Sequence, residues 1–196
     1  MSLRWRWFMA AVATGLTGAA LCPRILHPPP PDVPGPADLQ HWLSVPDHAT
    51  ELTAFDTWLF TQGVGGIVPT TDLWRQGTDW RALAQPPFAV PPRDLWPGIV
   101  PTLVVLRDEV IPLVGPVEVV SGFRTFRYNQ LAGGAPGSRH RWFEALDVLP
   151  RAPWPRRVLH HRLVGWWRTD GPGAQVGLGL YEHTRFHVDT WRHRTW

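Results

Sequence analysis

Apolar positions follow two different rhythms along the chain, and the helical one comes mostly first. Between Asp47 and Gln62, Leu52, Phe55 and Leu59 fall on one helical face, with Gly63 as a stop. Thr102 to Val114 repeats that spacing through Leu103, Leu106, Val110 and Leu113 and ends at Gly115-Pro116. Helices are also predicted from Arg124 to Ala132, closed by Gly133-Gly134, and from Trp154 to Trp167, opened by proline. Short β-branched or apolar runs predict strands at Val117–Val120, Ala145–Leu149, Val176–Tyr181 and Phe186–Thr190, the last two joined by a tight turn. The stretch from Val64 to Pro101 has no clean period and predicts loops and short helices wrapped around a core. Helices first and short strands later make the expected class α+β, with a small antiparallel sheet flanked by helices and Pro/Trp-rich loops.

The N-terminal segment obeys neither rhythm. Arg4 and Arg6 precede an apolar run from Trp7 to Leu21, somewhat short for the roughly 20 apolar residues of a spanning helix. Residues 1–22 therefore read as a signal peptide or membrane anchor, residues 23–37 as a stiff Pro-rich linker, and residues 38–196 as one folded domain. This predicts an exported protein, periplasmic or anchored to the outer face of the cytoplasmic membrane, touching the membrane only through that segment. A monomer is expected. The single cysteine, Cys22, excludes an internal disulfide, Cys/His catalysis and any thiolate metal site. All 19 basic residues are arginine, but they are scattered and the net charge is only +3, which argues against a nucleic-acid partner. Of the 13 tryptophans, Trp166, Trp167, Trp191 and Trp196 could pack the core or line a groove.

Candidate chemistry concentrates between Ser138 and Asp189. His140 follows a Gly-rich turn, and Asp147 lies between Leu146 and Val148, where a carboxylate is costly unless it meets a cation or hydrogen bonds. His187 and Asp189 stand two apart on another strand and so share a face. A sheet pairing these strands would bring His140, Asp147 and His187 together as two imidazoles and a carboxylate, a set that suits a catalytic zinc ion with an open position. The spacing alone is weak, since any of the nine histidines is more often a surface or core residue. No GxSxG elbow and no Walker lysine is present.

The ordered strings Ser121-Gly122-Phe123-Arg124, Ser138-x-His140-x6-Asp147, Gly177-x-Gly179-x-Tyr181 and Phe186-His187-Val188-Asp189-Thr190 resemble the zinc D-alanyl-D-alanine carboxypeptidases and related murein endopeptidases. The likeness runs from about Val117 to the C-terminus, with a looser likeness back to about Leu52. It departs at Phe143, where the common pattern has glycine, which puts pocket shape in question. The resemblance implies the lysostaphin, D-Ala-D-Ala metallopeptidase and hedgehog type of fold, and one zinc ion held by His140, Asp147 and His187. It also implies peptidoglycan stem peptides or cross-links as substrate, cut next to a D-amino acid. Arg124 would stabilise an oxyanion or hold a substrate carboxylate, and Ser138 would bind substrate or orient its loop. Many relatives place the general base three residues before the last histidine, where this chain has Thr184. The base is therefore expected to be Asp189 or Glu182, with Asp189 favoured by its fixed direction; orienting a ligand histidine is its other role. The alternative reading is a non-catalytic, zinc-containing cell-wall binding module of the same fold.

Overall fold

A computed structural model describes residues 32–196. The expected leader and most of the expected linker lie outside the described residues. Among the described residues, no helix is long and apolar enough to cross a membrane. The first helix, α1 (Pro36–Leu43), begins two residues before the expected domain boundary; Asp38 accepts from the Gly35 N–H at 2.9 Å and caps it. Then comes α2 (Pro46–Thr61), and the aperiodic stretch resolves into loops and two short 3-10 helices, Thr70–Trp74 and Arg93–Gly98.

The helix expected from Thr102 starts earlier. It runs as α3 (Ile99–Val105), a π-helical turn (Leu106–Val110) and α4 (Ile111–Val114). Pro112 has no N–H to give to the preceding turn, and the wider π turn stands where that bond is missing. The remaining elements are β1 (Val117–Ser121), α5 (Phe126–Leu131), a third 3-10 helix (Arg139–Trp142), β2 (Ala145–Pro150), α6 (Arg156–Thr169), β3 (Gly177–Leu180), β4 (Phe186–Asp189) and β5 (Arg194–Thr195). The pattern did not announce α1, which follows directly on the Pro-rich stretch, or β5, which has only two residues.

The five strands form one sheet in the order β1-β2-β4-β3-β5, antiparallel except for the β3–β5 pair. Alternation gives the sheet two faces. Leu146, Val148, Leu178, Phe186 and Val188 are fully buried and join Leu103, Leu106, Val110, Leu159 and Leu163 in one core. The opposite face carries Asp147 beside its cross-strand partner His187, Ala145 beside Asp189, and Gly177 and Gly179 on β3. Phe55, Trp74, Trp96 and Phe143 extend the core under the loops, with Phe55 centred 4.9 to 5.7 Å from the other three rings.

Candidate metal centre

The Ser-Gly-Phe-Arg string at the end of β1 is a bracket, each residue holding a different part. A bulge between Val119 and Ser121 inserts one extra residue, so Ser121 rather than Val120 stands opposite Asp147. The Ser121 hydroxyl donates to the Gln76 carbonyl at 2.9 Å and accepts from Arg124 Nε at 2.8 Å. Gly122 lies so close to the first 3-10 helix that a Cβ would stand 2.1 Å from the Leu73 carbonyl oxygen, which only glycine avoids. Phe123 enters the core and packs edge-on against Phe143. Arg124 gives Nε to the Gln76 carbonyl at 2.9 Å and Nη2 to Asp147 Oδ2 at 2.6 Å.

His140, Asp147 and His187 converge on the polar face of the sheet, each almost completely buried. His140 Nε2, His187 Nδ1 and Asp147 Oδ1 form a triangle with edges of 3.1, 3.0 and 3.2 Å. The outer nitrogen of each ring is already committed. His140 Nδ1 faces the Gly122 carbonyl at 2.7 Å, and His187 Nε2 faces Asp189 Oδ2 at 2.9 Å. Both acceptors demand a proton on that nitrogen, so the inner nitrogens present lone pairs. Three lone pairs aimed at one another repel unless a cation sits among them. Ligand atoms ~2.0–2.1 Å from a tetrahedral centre stand about 3.3 Å apart, close to the edges of this triangle. The donor set thus fits a metal ion.

Without a metal the two imidazoles are pushed in opposite directions. Burial, helped by the Arg124 charge, pushes His140 down to about 4 and keeps it neutral. Burial would raise Asp147, but attraction to His140 and Arg124 and the hydrogen bonds from both histidines hold it well below the usual carboxylate range. Burial would lower His187, yet its bonds to Asp147 and Asp189 outweigh that and hold it above 6.5.

The triangle opens into a cleft of about 630 Å³ whose wall includes Arg124, Ser138, His140, Tyr181, His187 and Trp191. Trp196 tilts over His187 with ring centres 5.1 Å apart. Ser138 lines the cleft on a loop pinned by Asn129, which donates Nδ2 to the Gly134 and Ala135 carbonyls at 3.2 and 3.0 Å. Of the four candidate tryptophans, Trp191 and Trp196 line the cleft. Trp166 and Trp167 instead pack structurally, donating to Glu109 and to the Val176 carbonyl.

The Peptidase M15 family model matches residues 66–189, which hold every residue of the triangle and both halves of its bracket. The chain belongs to the peptidase M15 family. Members of this family are zinc-dependent metallopeptidases, and the buried His-Asp-His group of this M15 peptidase is able to hold a metal ion. No curated protein and no solved structure matches the chain.

Within the M15 site, the two acids proposed for proton transfer occupy very different places. Asp189 is fully buried behind His187, on the side of the ring away from the triangle. Its Oδ1 accepts from the Trp191 N–H and Arg194 Nη1, both at 3.0 Å, and its Oδ2 accepts from His187 Nε2 and from Arg194 Nη2 at 2.6 Å. That geometry suits the orienting role for His187 and leaves no lone pair of Asp189 for a substrate water. Glu182 is exposed on the β3–β4 turn. Sequence reasoning missed Gln76, Tyr181 and Arg194. Gln76 is buried and also accepts from Thr125 N–H and Oγ1 through its Oε1. Tyr181 donates its hydroxyl to Asp147 Oδ1 at 3.2 Å. The GxGxY string carried a usable signal, because Gly177, Gly179 and Tyr181 are two apart and share the face of the ligands.

Phe143 does not reshape the pocket. It is fully buried in the core, and its backbone is left-handed, with φ of 53°. The glycine of the common pattern suits that conformation without strain.

Proposed function

We propose that this protein is a zinc peptidase of peptidoglycan, hydrolysing a peptide bond next to a D-amino acid in stem peptides or cross-links. One observation carries the metal part: three buried lone pairs converge while the outer nitrogen of each imidazole is pinned by an acceptor. Family membership supports peptide hydrolysis. The Arg-rich cleft wall suits a peptide with carboxylates, and the leader-like N-terminus suits a substrate outside the cytoplasmic membrane.

His140, Asp147 and His187 would hold the zinc, which when bound polarises the scissile carbonyl and lowers the pKa of water towards ~7. Arg124 is fixed at Nε and Nη2, so its guanidinium plane is set before substrate arrives and costs no reorganisation at the moment of reaction. Tyr181, which burial keeps protonated, donates to the other oxygen of that carboxylate, Asp147 Oδ1. Ser138 offers a hydroxyl in the wall of the same cleft. In the overall step a water oxygen bonds to the carbonyl carbon, the C–N bond breaks, and a proton passes to the leaving amine. Of the two acids named, Glu182 is the one whose carboxylate has no protein hydrogen bond among the described residues, and the transfer is assigned to it.

The exposure of Glu182 and the full engagement of Asp189 also favour a second reading, a zinc-containing wall-binding module without turnover. Incubating the protein with purified muropeptides, with and without chelator, and weighing the products by mass spectrometry separates the two. Chelator-sensitive loss of an amino acid or of a cross-link supports the peptidase. Retention of intact muropeptides under every metal condition sinks it and leaves the binding module.

A further inference from the structure

The sheet has two sides, and the function proposed above uses only one of them. On β2 and β4, Asp147 and His187 are turned to the metal centre, while Leu146, Val148, Phe186 and Val188 alternate with them and enter the core. Helix α6 belongs to the core side, where its Leu159 and Leu163 are fully buried with those four residues. Its outer face is therefore turned away from the metal centre.

That outer face is cationic and unmatched. From Arg151 to Thr169 the chain has no acidic residue. Arg156, Arg157, Arg162 and Arg168 are exposed, and none has an ion-pair partner among the described residues. Surface arginines elsewhere do find one, as Arg93 does with Glu51 and Arg107 with Asp108. Helical spacing puts Arg157, His161 and Arg168 in one row about 16 Å long, with Val158 and Arg162 beside it. Val158 is itself exposed, and the Arg162 guanidinium lies 5.3 Å from the centre of the Trp154 ring. Gly165 stands in the middle of this face, where a Cβ would touch nothing, so no packing inside the domain calls for a glycine. It weakens the helix relative to alanine and leaves a flat stretch between the charged turns.

A row of unmatched guanidinium groups beside an exposed valine fits a flat surface where phosphate headgroups lie over acyl chains. The leader-like residues 1–22 of the same chain suit a membrane as neighbour. We propose that the outer face of α6 is a docking surface for an anionic phospholipid bilayer, held by Arg157, Arg162 and Arg168. The domain then lies with the back of its sheet to the lipid and its cleft open on the other side. Lipid binding is read without turnover, so its failure and that of the peptidase reading are distinct outcomes.

Pro31–Trp196 forms one compact unit with its own core, and it is tested without the apolar leader, which would bind lipid by itself. Co-sedimentation is measured with vesicles of phosphatidylcholine alone and with about 30 % phosphatidylglycerol. The protein should bind the anionic vesicles about tenfold or more tightly, and about 0.5 M salt should abolish that preference. The joint variant Arg157→Gln/Arg162→Gln/Arg168→Gln should lose it, with zinc content and far-UV circular dichroism unchanged. Lysine at the same three positions keeps the charge and should keep the binding. A control with the same loss of charge elsewhere, Arg93→Gln/Arg107→Gln/Arg127→Gln, should stay within a few-fold of the wild type. Equal binding to both vesicles overturns the proposal, as does a control that loses as much as the α6 variant. Binding to isolated cell wall but not to vesicles, lost in the α6 variant, also overturns it and makes the partner an anionic wall polymer.

Discussion

Asp189 and Phe143 show how little a residue's type says about its task until its neighbours are known. Asp189 shares a strand face with His187, which suits either a base or a support, and its four hydrogen bonds favour support. Asp189→Ala should therefore weaken metal binding by about 10–100-fold. Glu182→Gln should leave metal affinity unchanged and lower kcat by about 10²-fold or more. Metal titration beside steady-state kinetics separates the two. Phe143 holds a left-handed backbone that costs about 1–3 kcal/mol, while deleting a buried phenyl ring costs about 3–5 kcal/mol. Phe143→Gly and Phe143→Ala should both destabilise the protein. The glycine variant should be the less damaged of the two, because alanine keeps the strain as well as the cavity; urea denaturation midpoints would show the reverse order if the backbone strain is negligible.

At the level of elements, β3 is shaped by what it lacks. A Cβ at Gly177 would lie 2.5 Å from Asp189 Oδ2 and 2.8 Å from Arg194 Nη1, and one at Gly179 would lie 2.7 Å from the Trp196 ring. Gly177→Ala should push the Asp189–Arg194 pair off His187 and cut metal affinity by about tenfold, with far-UV circular dichroism unchanged. Unaltered affinity would mean that the pair does not hold the ring. Much of this layer was legible in the chain. Strand alternation placed Asp147, His187 and Asp189 on the polar face, and the helical spacing of Leu103, Leu106 and Val110 marked the helix packed below. What was not legible depends on geometry without a period. The bulge at the end of β1 leaves no trace in hydrophobic pattern, yet it decides which side chain faces Asp147. The two-residue β5 is too short to signal itself, and Gln76 sits in a stretch read as loop.

Across the whole molecule, the metal couples stability to pH. Hydrogen bonds to Asp147 and Asp189 outweigh burial and hold His187 above 6.5, so without metal its protonated form stabilises the fold at acidic pH. That contribution is complete below the unfolded value and is lost as pH rises through the folded one. A metal ion needs the same ring neutral, so its stabilisation grows over the same interval. The rise in Tm between chelated and zinc-loaded protein should therefore be larger at about pH 7.5 than at about pH 5.5. At a hundredfold excess over Kd it should correspond to about 2.7 kcal/mol, or roughly 5–10 °C for a domain of this size. A pH-independent difference in scanning calorimetry would contradict this. The site also imposes an order on synthesis. Its bracket begins at Gln76 and its last support is Arg194, so the pieces that surround the ion are separated by most of the domain. A growing chain has the His140 loop and Asp147 long before it has the arginine that steadies His187 through Asp189. Tight metal uptake would therefore wait for Arg194, and a bound ion would report that the supports of both histidines are in place.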